Sequence, residues 1–217
     1  MYNCIFTAHC LENFCDGSCP ILAEISYLLE RNGINMKNPV LNSSESDIKK
    51  MQKVLELANE KTFGLVVDTP SVDTIRTSDL LAYVAICQHW KGSNLHCTVY
   101  NLKYSIYLDE LRKSWSMKSE PESLEYMRIW AQSAKILIVS NFDYVNFNEF
   151  ESQTLLNLIQ IRSSLGLTTI LVSPEPRKLM STKFNNPFFA TLKSNWLLKS
   201  EGAQVIHLSD AQLGGKT

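Results

Sequence analysis

Five short apolar runs, at 63–67, 96–101, 134–139, 168–173 and 203–208, punctuate the chain, separated by stretches in which apolar residues recur at three and four. Those stretches, at 78–90, 106–114, 123–132, 149–165 and 186–200, predict helices. Strand-length segments that are apolar throughout, and that alternate with helices, need a sheet buried on both faces. Parallel strands joined by right-handed crossovers meet that need. The expected fold class is therefore α/β: a five-stranded parallel sheet with helices on both faces.

At 217 residues the chain has room for that domain and a small appendage. Its hydrophobic fraction of 45% against 20% charged is enough to build a sizeable core, which excludes global disorder. Two segments precede the sheet. Residues 1–34 hold a cysteine-rich stretch and a helix at 21–31, read as packing on the cysteines; residues 35–61 read as a polar linker around Pro39 followed by an amphipathic helix at 47–61. The α/β domain then occupies 62–217.

With 21 basic and 22 acidic residues the net charge is −1, so no overall field draws the molecule to phosphate or to a membrane surface. No run of about 18 apolar residues occurs and no basic-then-apolar leader opens the sequence, so a cytoplasmic protein with no membrane partner is expected.

Four of the six cysteines, Cys4, Cys10, Cys15 and Cys19, fall close together, with five, four and three residues between them. In a reducing compartment such crowding points to a closed tetrathiolate site for structural zinc, able to order a segment too short to fold by burial alone. His9 could replace one thiol. An iron–sulfur cluster and unliganded redox cysteines are the alternatives. Cys87 and Cys97, in apolar surroundings, read as small buried hydrophobes.

Ligands of such sheets sit beyond the carboxyl ends of the strands. After the first run stand eleven residues, from Asp68 to Ser78, with no Gly or Lys among them. A phosphate-cradling loop needs glycines for its backbone geometry and a lysine for the outer phosphates. After the third run come Ser140 and Asn141 where a hydrolytic site would carry acids to hold magnesium and polarise water. Asp143 lies further out, as a turn or cap residue. After the fourth comes Pro174, in place of a polar sensor of the terminal phosphate. The closing Gly214-Gly215-Lys216-Thr217 has the letters of a phosphate loop but no following helix to supply the dipole.

The segment 106–115 (IYLDELRKSW), the segment 148–162 (NEFESQTLLNLIQIR) and the run 168–173 (TTILVS) resemble parts of one family. It is the AAA+ ATPase module of bacterial and phage replicative-helicase loaders of the DnaC/DnaI type, with their transposition relatives of the IstB type. The resemblance spans about 62–208. It implies a P-loop NTPase or AAA+-like fold and a place in DNA replication, of phage or mobile-element origin. The family's phosphate loop, acid pair and sensor are replaced at 71–78, at Ser140 and Asn141, and at Pro174. Its late arginine has no counterpart in 183–189.

The resemblance and its departures together imply a pseudo-ATPase adaptor, not an enzyme, with no catalytic or nucleotide-binding residues. Its partner would be a replicative helicase or an intact AAA+ ATPase paralogue. One alternative is an active NTPase using Arg76, Ser78 and Asp143; another is a mimic that inhibits a loader or helicase. Single-stranded DNA is a further candidate partner, because Arg112, Lys113, Lys118 and Arg128 lie near Trp115 and Trp130, and Lys49, Lys50 and Lys53 share one side of a helix. The plainer reading is a solvated face for the lysines and core packing for the tryptophans. Phe142, Tyr144, Phe147 and Phe150 crowd beside the replaced acids and either fill the nucleotide's volume or face a partner.

Overall fold

The computed structural model describes residues 20–35, 37–60, 65–68, 74–89, 99–117, 121–142, 149–173 and 204–207. Two helices, α1 (Pro20–Arg31) and α2 (Glu45–Glu60), come first. Then follow β1 (Leu65–Asp68), α3 (Thr74–His89), β2 (Val99–Lys103), α4 (Tyr104–Ser114), α5 (Glu122–Ser133), β3 (Ile136–Ser140), α6 (Glu149–Ser164), β4 (Thr168–Ser173) and β5 (Gln204–His207). The strands form one parallel sheet in the order β2-β3-β4-β1-β5.

Both faces of the sheet are covered along β2, β3 and β4, whose alternate residues divide between them. Val99, Ile136, Ile138, Ile170 and Val172 pack with α1, α2 and α3, whereas Tyr100, Leu102, Leu137, Val139 and Leu171 pack with α4, α5 and α6. The helix leaving β1 thus lies on one face and the helix leaving β3 on the other. In sheets of this kind ligands bind where such paths diverge, at the carboxyl ends of the strands.

Helix ends follow from local chemistry. Gly33 (φ +75°) closes α1: the Ile34 N–H reaches the Leu29 carbonyl at 2.8 Å and the Gly33 N–H that of Glu30 at 2.9 Å. Ile34 is then carried into the core. α2 starts two residues before the expected Asp47, because the Ser44 hydroxyl accepts the Asp47 N–H at 3.1 Å and donates to its carboxylate at 2.8 Å.

The segment before the sheet differs from its sequence reading. Within the stretch read as a linker, Pro39–Asn42 forms a 3-10 turn with Val40 buried, and Asn38 caps it by accepting the Val40 N–H. Ile25, Leu28 and Leu29 of α1 join the same core as α3 and the strands, so this helix packs on the sheet domain. The helix expected at 186–200 and Cys97 lie outside the described residues. Cys87 packs, half-buried, against the core, and no described helix is long and apolar enough to cross a membrane.

Candidate functional site

At the sheet's carboxyl edge the strand ends stand in register. Lys103 pairs with Ser140, and Asp68 pairs with Ser173 on one side and His207 on the other. The helix that leaves β1 begins at Thr74, four residues before the expected Ser78. β-branched Thr74, Ile75 and Thr77 conceal that start, since they are weak helix formers on propensity alone. Ser78 falls in the second turn, is fully buried, and donates its hydroxyl to the Ile75 carbonyl at 2.9 Å. Arg76 lies exposed in the first turn. Asp143 and Pro174 lie outside the described residues.

Among the described residues, four polar atoms near this edge have no hydrogen-bond partner: Oγ1 of Thr74, Oγ of Ser140, Oδ1 of Asn141 and Oγ of Ser173. Thr74, Ser140 and Ser173 are buried. Asn141 takes the left-handed conformation at φ 58°, a region that Asn tolerates better than most residues. Phe142 turns from there into the core, while Phe150 is exposed and meets Trp115 edge-to-face at 5.3 Å. Tyr144 and Phe147 lie outside the described residues. The end of β3 thus presents uncharged hydroxyl and amide oxygens at Ser140 and Asn141, with Asp68 at the end of β1.

A second polar cluster is barely marked in the sequence. Asp79 of α3 is buried, and its carboxylate accepts from Asn101 at 2.8 Å and Asn38 at 3.0 Å, with the Lys103 ammonium at 3.4 Å. Asn32 completes the set by accepting the Asn101 backbone N–H. The one available signal is a polar residue, Asn101, inside a buried strand. A buried carboxylate held by three donors ties the pre-sheet segment to α3 and β2 and is structural in character.

Arg162 is another structural group, beyond the helix-dipole role open to it from sequence. It is buried and donates to Thr169 at 2.9 Å and to the carbonyls of Ala131 (2.8 Å), Gln132 (3.2 Å) and Thr168 (2.6 Å). Burial brings its guanidinium down to about 10.

The basic residues divide. Lys49, Lys50 and Lys53 each face an acid on their own helix, Glu45 at 2.6 Å, Asp47 at 4.0 Å and Glu56 at 3.6 Å, which is a solvated face. Arg112 binds Asp109 and the buried Glu151, and Lys113 binds Glu110. Trp115 beside them is 62% exposed. Trp130 is half-buried instead, with Arg31 stacked 3.6 Å from its ring centre. Lys118 lies outside the described residues, as do Cys4, Cys10, Cys15 and Cys19. Among the described residues no group of three or more His, Cys, Asp or Glu side chains is placed to hold a metal ion.

No family model and no curated protein matches the chain. Solved structures do. AMPPCP-bound DnaA from Aquifex aeolicus superposes with a TM-score of 0.52 at 13% identity, over 80% of this chain and 50% of that one. A replication initiator DnaA bound to AMPPCP and single-stranded DNA gives 0.46 at 13% identity, over 60% and 38%. A DNA replication initiation factor gives 0.47 at 16%, over 63% and 41%. The chain spans half or less of the length of these structures. At such identity the likeness is one of fold: the class defined is an α/β module built on a five-stranded parallel sheet.

Proposed function

We propose that the protein is a non-hydrolysing, helicase-loader-like subunit in DNA replication that acts as an adaptor by docking to a replicative helicase or an intact AAA+ ATPase. The observation that carries this reading is the carboxyl edge itself. Ser140 and Asn141 stand at the end of β3, where the resemblance would put acids, the chain from Asp68 to Ser78 has neither Gly nor Lys, and Ser78 is engaged within α3. A fold kept without the glycines, lysine and paired acids of phosphate and magnesium chemistry at these positions fits a scaffold better than a motor. The engaged Ser78 also weighs against an active NTPase built on Arg76, Ser78 and Asp143.

Titration calorimetry with ATP and magnesium, joined to a hydrolysis assay, tests the reading. Neither binding nor turnover is expected, and micromolar magnesium-dependent affinity ends it. Adding the protein to a helicase-loading reaction separates an adaptor, which stimulates, from an inhibitory mimic, which blocks. The exposed Trp115, beside Arg112 and Lys113, supports a secondary contact with single-stranded DNA. Zinc held by Cys4, Cys10, Cys15 and Cys19 belongs to the same proposal; elemental analysis of the purified protein tests it.

A further inference from the structure

Where α1 meets α5, large apolar side chains stand in solvent. Tyr27 is 55% exposed, Tyr126 47% and Ile129 46%. The two helices are joined there: the Tyr126 ring lies 5.7 Å from that of Trp130, which carries Arg31 of α1 on its face. On α5 the positions of Glu122, Tyr126, Ile129 and Ser133 recur at three and four and share one exposed face, with Glu125 on its flank. Glu30 stands exposed one turn beyond Tyr27 on α1. Glu122 accepts the Tyr126 hydroxyl at 2.9 Å, yet among the described residues none of Glu30, Glu122 and Glu125 has a salt-bridge partner. On α2, by contrast, Glu45, Asp47 and Glu56 are each paired.

We infer that this α1–α5 surface docks an arginine-bearing segment of a partner protein. Exposed tyrosine rings offer their faces to guanidinium groups, and a rim of carboxylates supplies the complementary charge. The same charge argues against other occupants. Residues 1–19 of this chain contain Glu12 and Asp16 but no Lys or Arg. A second copy in two-fold contact would set these acids against themselves, and a phosphate backbone would be repelled. Arg128, on the far flank of α5, leaves the centre of the face to Tyr126 and Ile129. Such docking needs neither nucleotide nor DNA, and so stands whether or not the replication reading holds.

Fluorescence anisotropy on the full chain tests it, with a fluorescein-labelled peptide of alternating Arg and Leu as probe and its Lys counterpart for comparison. The Arg peptide is expected to bind more tightly. Tyr126→Ala, and separately the pair Glu122→Gln and Glu125→Gln, should each weaken it by about threefold or more, while Glu45→Gln with Glu56→Gln on α2 leaves it unchanged. All these changes are on exposed side chains, and melting curves followed by circular dichroism confirm that the fold is retained. Absence of binding, equal loss from the α2 pair, or indifference to Tyr126→Ala overturns the inference. So does a dimer in sedimentation that Tyr126→Ala dissociates, or an oligothymidylate that displaces the peptide.

Discussion

The side-chain oxygen of Asn32 accepts the backbone N–H of Asn101 at 2.7 Å, so that a residue at the exit of α1 occupies the place a neighbouring strand would take beside β2. Edge strands expose a row of unpaired backbone groups, and covering them prevents pairing with other chains. Asn32 is itself fixed by donating to the Leu28 carbonyl at 2.7 Å, within the turn that Gly33 closes. The pre-sheet segment therefore finishes the sheet as well as covering one of its faces.

Asn32→Ala should lower stability by about 1–3 kcal/mol, because the Asn101 N–H is left buried without an acceptor. Urea unfolding checks this: the midpoint falls while the slope is unchanged. A loss below a few tenths of a kcal/mol would mean that water replaces the amide there and that α1 does not cap the edge.

Asp79→Ala strands three donors at once, from Asn38, Asn101 and Lys103. Removing one partner from a buried charged set costs about 3–5 kcal/mol. A double-mutant cycle with Lys103→Met should return a large favourable coupling, since with both charges gone the site loses its uncompensated ammonium. Additive effects would show that Lys103 reaches water once Asp79 is absent.

The alternation of apolar runs and helical stretches is enough to read the parallel sheet and its two covered faces, because burial on both sides leaves a pattern in each strand separately. What the pattern lacks is long-range polar pairing. Nothing near Asn38 announces Asp79, forty-one positions on, and nothing near Asn32 announces Asn101. That is why 35–46 reads as a linker in sequence although it holds Val40 and Asn38 in the structure. At the candidate edge the polar stop of the third run, at Ser140 and Asn141, is legible as the end of β3. The start of α3 at Thr74 is not, because β-branched residues hide a helix that tertiary packing stabilises.

Alkaline titration should reveal two tyrosines that resist ionisation. Burial pushes Tyr100 up to about 12 and Tyr104 higher still. A phenol whose folded-state value is raised contributes stability that is complete below pH 10 and lost as pH rises through the folded value. Each of the two therefore removes about 1.4 kcal/mol per pH unit above about pH 10. Arg162, lowered to about 10, acts in the opposite direction, because the unfolded chain then holds the extra proton and stability rises with pH. Two losses outweigh one gain. Absorbance at the phenolate band should show Tyr100 and Tyr104 ionising only as the fold melts, and a Tyr100→Phe variant should melt with a shallower alkaline slope.

Ser140→Ala tests the edge where the functional reading rests. Its hydroxyl is buried and has no partner among the described residues, so removing it should leave stability unchanged or raise it by about 1 kcal/mol, and Ser173→Ala should behave alike. Restoring acids with Ser140→Asp and Asn141→Glu should have the reverse effect. Two carboxylates would then share one strand end with no cation to separate them, and the variant should melt several degrees lower at pH 7 than at pH 4, where protonation relieves them. Magnesium that rescued the doubly acidic variant would show that a cation is still coordinated at this edge. A loss on Ser140→Ala would instead mean that the hydroxyl already holds something in solution, and the edge could no longer be treated as free of ligand chemistry.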